Sequence, residues 1–226
     1  MSPIPEDACL TPSETVFLAG SRFVPKGGLG DKYTLFGQEA VVSKKQLAIR
    51  IYAAAFLAEF GYGSIRLDVQ EKKAMLGLRS VHKIFVQIGL NASPSPAPSL
   101  EASLRSISER LQTGRASHEV KAVVASFMRE DDGDPFGKAS DLIKDQLAQR
   151  GLVQKWEEKK LKIFSVAKYA LPAETAALAA AQADAIQSWM TQLQQSQPDL
   201  WQLLVEDIEE GIKSRQTRSD PSNDSD

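Results

Sequence analysis

One cysteine and two histidines are all that the 226 residues offer for thiol or imidazole chemistry. Cys9 has no second cysteine with which to form an intramolecular disulfide, and the count fits a reducing compartment. Cys9, His82 and His118 fall short of the His/Cys set that a zinc site needs. No apolar run approaches the length of a membrane-spanning helix, so any membrane contact is expected to be peripheral. Met1 to Asp7 are acidic and proline-containing, without the charged and apolar regions of a secretory leader. The expected location is therefore cytoplasmic. Charge of one sign is also missing: 27 Lys and Arg face 29 Asp and Glu, a net charge of -2. No global attraction to nucleic acid or anionic lipid follows, and such binding would need a local basic patch. The chain has no Ser/His/Asp nucleophile signature, HExxH, Walker motif or dinucleotide fingerprint. The expectation is a protein that is not an enzyme, with no cofactor and no bound metal.

The sequence does hold material for a core, being 42% hydrophobic and 25% charged, as ordinary globular domains are. It reads as one mainly α domain over residues 10–214, between a flexible N-terminal tail at 1–9 and a disordered C-terminal tail at 215–226. Thr11-Pro12-Ser13-Glu14 is a helix start in which Thr11 caps and Glu14 completes a capping box. Ser43 to Phe60 is the principal apolar helix, with Leu47, Ile51, Ala54, Ala55 and Ala58 facing inward. Lys44, Lys45 and Arg50 lie near its start, where cations oppose the helix dipole and hint at a nearby anion. Ser64 to Val69 alternates as a half-buried strand, and further β-like runs at Ala74–Leu78 and Val81–Ile88 predict a hairpin. Asn91 to Ser99 is a proline-stiffened linker. Helices follow from Leu100 to Gly114 and from Ser117 to Met128. The next unit reads as helix, glycine stop at Gly151, short strand from Leu152, polar turn over Lys155–Lys160, and short strand to Tyr169. Ala173 to Gln195 is an alanine-rich helix, and Pro198 opens a last one.

Three local patterns suggest chemistry and then fail a closer test. Pro25-Lys26-Gly27-Gly28-Leu29-Gly30 is rich in glycine, but no Gly-Lys-Ser/Thr follows, so it reads as a connector and not as a phosphate loop. Glu130 to Pro135 is acidic but lacks the alternating ligands of a calcium loop, so it reads as a turn with helix-capping acids. The unit around Gly151 permits a winged-helix module. Its helix balances Lys138, Lys144 and Arg150 with Asp141 and Asp145, which argues for a structural or protein-binding wing and no nucleic acid.

Four phrases in order resemble the Golgi phosphoprotein 3 family. They are Leu10-Thr11-Pro12-Ser13-Glu14 with Val16 to Gly20; Lys32-Tyr33-Thr34-Leu35-Phe36; Ala55 to Phe60 through Gly63 to Ile65-Arg66-Leu67; and Leu147 to Pro172. The resemblance implies a mainly α fold, a single Golgi phosphoprotein 3-like helical domain with a β-hairpin and a small winged-helix-like β element. It also implies a non-enzymatic peripheral membrane adaptor that binds anionic phospholipid, phosphatidylinositol 4-phosphate in the family, and the tails of protein partners. The family's lipid pocket uses a tryptophan where this chain has Gly37. It uses two arginines on the helix where this chain has Gly137, Lys138 and Ser140. The expected anion-binding residues are Lys44, Lys45, Arg50, Lys138 and Lys144. The hairpin offers an edge for homo-oligomer formation. The alternative is a soluble protein–protein interaction module on the same scaffold.

Overall fold

The structure is a computed structural model that describes residues 9–74, 79–128, 133–160 and 164–215. Apart from Cys9 and Arg215, the two expected tails lie outside those residues. The described residues form seven α-helices and three two-stranded antiparallel sheets. In order they are α1 (Pro12–Leu18), β1 (Lys32–Thr34), β2 (Val41–Ser43), α2 (Lys44–Gly61), β3 (Ile65–Ala74), β4 (Arg79–Ile88), α3 (Leu100–Thr113), α4 (Val120–Ala125), α5 (Pro135–Gln149), β5 (Gln154–Lys160), β6 (Phe164–Ala170), α6 (Ala173–Ser196) and α7 (Pro198–Lys213). The class is mainly α with small β elements. Among the described residues no helix is long and apolar enough to cross a membrane.

Helix α2 is the centre. Every residue from Ile51 to Glu59 is buried, and α1, α3, α5 and α7 all pack against it. A helix apolar on all sides is stable only when enclosed in this way. Tyr52 and Phe56 are its largest fully buried side chains. Ser43 caps it by accepting from the Gln46 amide at 3.1 Å.

Helix α1 carries the expected capping box. The Glu14 carboxylate accepts from the Thr11 amide at 2.8 Å, and Thr11 caps in return. Sequence did not show that Glu14 is fully buried and bound by Arg150, whose Nη1 donates to both carboxylate oxygens at 2.6 Å. Arg150 Nη2 donates to the Cys9 carbonyl at 2.7 Å. The second buried carboxylate, Glu101 of α3, accepts from the Ser13 amide at 2.9 Å and from Ser13 Oγ at 3.0 Å. The first turn of α1 thus hands its unpaired N–H groups to two carboxylates. Burial pushes both carboxyls up, Glu101 to about 7, while Arg150 acts against the shift at Glu14.

Several boundaries differ from expectation. The helix expected at Ser117–Met128 shrinks to α4, Val120–Ala125. Its start is drawn into the sheet: the Val86 amide donates to His118 O at 2.9 Å, and Glu119 bridges Phe85. The polar turn expected at Lys155–Lys160 is mostly strand β5, paired Gln154↔Ala170 through Lys160↔Phe164, and Leu152 and Val153 are buried residues before it. The stop at Gly151 is as expected, with φ of 74°. The β1–β2 pair has too little alternation to be seen in sequence. The linker at Asn91–Ser99 is tethered: Ser93 Oγ and Ser95 Oγ both donate to the buried Glu59 carboxylate. Of the acidic turn, Asp134 is the N-cap of α5, and residues 130–132 lie outside the described ones.

Two predictions follow from the buried charges. Arg150→Met leaves Glu14 without its cation in the interior and is expected to lower stability by about 3–5 kcal/mol in chemical denaturation. The raised carboxyl of Glu101 favours the proton-binding folded state, so its contribution is full below pH 4.5 and is lost as pH rises through about 7. Wild type should therefore lose about 3 kcal/mol between pH 4.5 and 8 relative to Glu101→Gln, measured as the difference between the two stability profiles.

Candidate anion-binding face

Among the described residues, helix α5 and the β5–β6 hairpin build the face where two lysines meet aromatic rings. Asp134 caps α5 by accepting from the Gly137 amide at 3.1 Å. A Cβ at Gly137 would lie 2.5 Å from Asp134 Oδ2, so glycine suits this cap. Along the helix, Lys138, Asp141 and Asp145 fall on one side at helical spacing. Lys144 Nζ pairs with Asp141 at 2.7 Å and lies 5.9 Å from the Tyr33 ring and 5.6 Å from the Tyr169 ring. Asp145 Oδ1 accepts from Lys155 Nζ and from the Tyr169 hydroxyl, both at 2.6 Å. Burial would raise the Asp145 carboxyl, but the bonds from Lys155 and Tyr169 hold it below its ordinary value, and the charge of Lys138 adds to them. Burial pushes the Tyr33 phenol up, against the pull of Lys144 and Ser140. Phe36 stands edge-on to Tyr169 at 6.4 Å, fixing that ring from behind.

The structure divides the residues that sequence pointed to. Lys138 and Lys144 share this face. Lys44 is bridged to Asp134 at 2.8 Å, which joins the start of α2 to the start of α5. Lys45 pairs with Glu209 of α7 at 2.7 Å. Arg50 is stacked on Trp201 of α7, 4.7 Å from the ring, and burial lowers its pKa. Lys45 and Arg50 thus serve the α2–α7 contact. The anion hinted at by cations at the start of α2 is supplied within the chain: Asp31 accepts from the Lys45 amide at 2.8 Å and from the Ser43 hydroxyl at 2.5 Å.

Sequence reasoning passed over Lys155, Asp145, Tyr33 and Tyr169 as members of the face. The register Lys155↔Tyr169 brings two of them together, a pairing between strands that no local pattern in the sequence marks.

Gly37, where the resemblance has tryptophan, has φ of 72°. A Cβ there would lie 2.9 Å from Leu171 Cδ2. Both the backbone and Leu171 exclude a large side chain at this site.

No family model, no curated protein and no solved structure matches the chain.

Gly37→Ala tests the local constraint. The left-handed backbone and the Leu171 contact together should cost about 1–3 kcal/mol, read as a lowered midpoint in denaturant.

Proposed function

We propose that the chain is a non-enzymatic peripheral membrane adaptor, similar to Golgi phosphoprotein 3, that binds anionic phospholipid head groups on the α5–hairpin face and protein tails elsewhere. The observation that carries this reading is the gathering of Lys144 and Lys155 around Tyr33 and Tyr169, with the charge of Lys138 felt at Asp145 between them. On the opposite face of the same hairpin, Trp156, 49% exposed and paired across the strands with Lys168, and Val166, 39% exposed, also meet solvent. Exposed tryptophan beside lysine suits a membrane interface, where the ring sits among head groups and the cations meet anionic lipid.

The carboxylates on this face do not prevent anion binding. Asp141 is 57% exposed, and its pair with Lys144 spans i to i+3 on the helix surface. Lys144 itself is only 18% exposed, so the solvent-facing pair of Lys155 with Asp145, 42% exposed on both sides and worth about 0–1 kcal/mol, is the one an incoming phosphate takes over at little cost. Lysines act as point charges, whereas arginine forks select a phosphate geometry. The expected selectivity is therefore for negative surface charge in general, with no preference for one head group beyond its charge.

The second reading, a soluble protein-interaction module, draws support from a different observation. Lys44, Lys45 and Lys144 each already hold a carboxylate, and the chain as a whole carries a net charge of -2. Self-association through the long β3–β4 hairpin belongs to either reading. The β4 edge is met by His118–Glu119, and among the described residues no strand pairs with the outer edge of β3.

Flotation with neutral, phosphatidylserine and phosphatidylinositol 4-phosphate vesicles at low and high salt separates the readings. Anionic vesicles should carry the protein, less so in high salt. Changing Lys138, Lys144 and Lys155 together to Ala should weaken binding by about tenfold or more, at about 1 kcal/mol per surface lysine. Lys45→Ala should leave it unchanged. Absence of flotation with every vesicle would end the membrane role and leave the second reading.

A further inference from the structure

Leu29 is 99% exposed, at the tip of the loop between the turn after α1 and strand β1. Lone exposed leucines are common on protein surfaces and need no explanation by themselves. What sets this one apart is the contrast between its tip and its base.

The base is fixed. The Pro25 carbonyl accepts from the Ser43 amide at 2.9 Å, and the Gly28 carbonyl accepts from the Asp31 amide at 3.2 Å, closing a tight turn under Leu29. Asp31 is locked to the first turn of α2 through Ser43 and the Lys45 amide. At Gly27 a Cβ would lie 2.3 Å from the Asp31 carbonyl, so the two sides of the loop meet at backbone contact. The tip is open. Positions 28 and 30 front empty space, and Gly30 adopts φ of 80°. The fold thus holds a leucine out in solvent on a pinned glycine turn, where it packs on nothing.

The surroundings identify the occupant. Lys26 and Lys32 flank the tip, are exposed, and make no ion pair among the described residues. Asp31, the nearest carboxylate in sequence, is committed to the amide and hydroxyl at the α2 start. A protein hot spot buries its anchor in a pocket and surrounds it with packed contacts that exclude water. Here the leucine has glycine on both sides and, among the described residues, no apolar rim to form such a ring. A bilayer needs no matching pocket: a single side chain enters the acyl boundary while flanking lysines reach the head groups. The loop is tied to the turn bearing Lys44, which reaches Asp134 at the start of α5, so the tip belongs to the end of the molecule where α5 begins.

We infer that Leu29 is a membrane anchor, inserted into an anionic bilayer with Lys26 and Lys32 at the phosphate level. The inference rests on the peripheral-membrane reading and adds to it a second, apolar point of attachment outside the α5–hairpin face.

The test uses the full chain and vesicles of phosphatidylcholine with and without phosphatidylserine. Leu29→Ser should fold as wild type and bind the anionic vesicles about tenfold more weakly, the loss of one partly buried leucine. Leu29→Phe should restore binding. In a Cys9→Ser background, an environment-sensitive dye on Leu29→Cys should shift to the blue and brighten on vesicle addition. Wild type that binds anionic vesicles, with Leu29→Ser binding equally and the dye unmoved, would overturn the anchor and leave the lysine face standing. Wild type that binds no vesicle would remove the membrane reading itself, and the anchor with it.

Discussion

The Arg150 guanidinium joins three parts of the chain that are far apart in sequence. It sits at the C-cap of α5, holds both oxygens of Glu14 in the first turn of α1, and takes the Cys9 carbonyl just before that helix. Beside it Glu101, at the start of α3, takes Ser13. The carboxylates are tolerated in the interior because they lie at a helix N-terminus, where unpaired amides point at them and the dipole is positive. The cation is tolerated because Glu14 meets it with two oxygens. Neither sign of charge is stable there alone. Helix α1 in turn packs on α2, α5 and α6, so the orientation of the outer helices around the apolar centre depends on this network.

A similar logic governs the surface cations. Lys83 is clamped by Asp207 and Glu210 of α7, and the Ile84 amide adds a second bond to the buried Asp207, which ties the β3–β4 hairpin to the last helix. Lys45 and Arg50 are held by Glu209 and Trp201 of the same helix. Helix α7 therefore absorbs much of the positive charge near α2 and β4. On α5 and the β5–β6 hairpin the carboxylates that hold Lys144 and Lys155 are Asp141 and Asp145, 57% and 42% exposed. Which lysines near α2 and β4 are held internally is decided by where α7 docks.

Much of the helical framework was legible. The capping box at Thr11–Glu14 and the glycine stop at Gly151 are local devices, and each acts within a turn of its own position. The apolar periodicity of α3 reports burial directly, whereas α2 is apolar all round and is marked by its unbroken apolar run. The misplaced elements are those fixed by distant partners. Helix α4 is short because β4 claims His118 and Glu119. Strand β5 looked like a polar turn because exposed hairpin arms carry charge on both faces, and little burial marks them as strand. At the candidate face, Lys138 and Lys144 could be named from the helix. Their companions Tyr33, Lys155 and Tyr169 come from two other segments and are brought there by pairing and packing.

The sequence by itself determined the mainly α class, most helix ends and the separation of the chain into core and polar faces. These follow from propensity, capping and periodicity, which act over a few residues. Only the tertiary structure decided which of the charged residues are bound internally and which face solvent as a group. An ion pair forms over 3 Å of space between residues that can be a hundred positions apart, and no local pattern encodes that proximity. The same holds for Leu29, an ordinary leucine in a glycine-rich phrase, whose exposure is set by the bonds that pin the loop to α2.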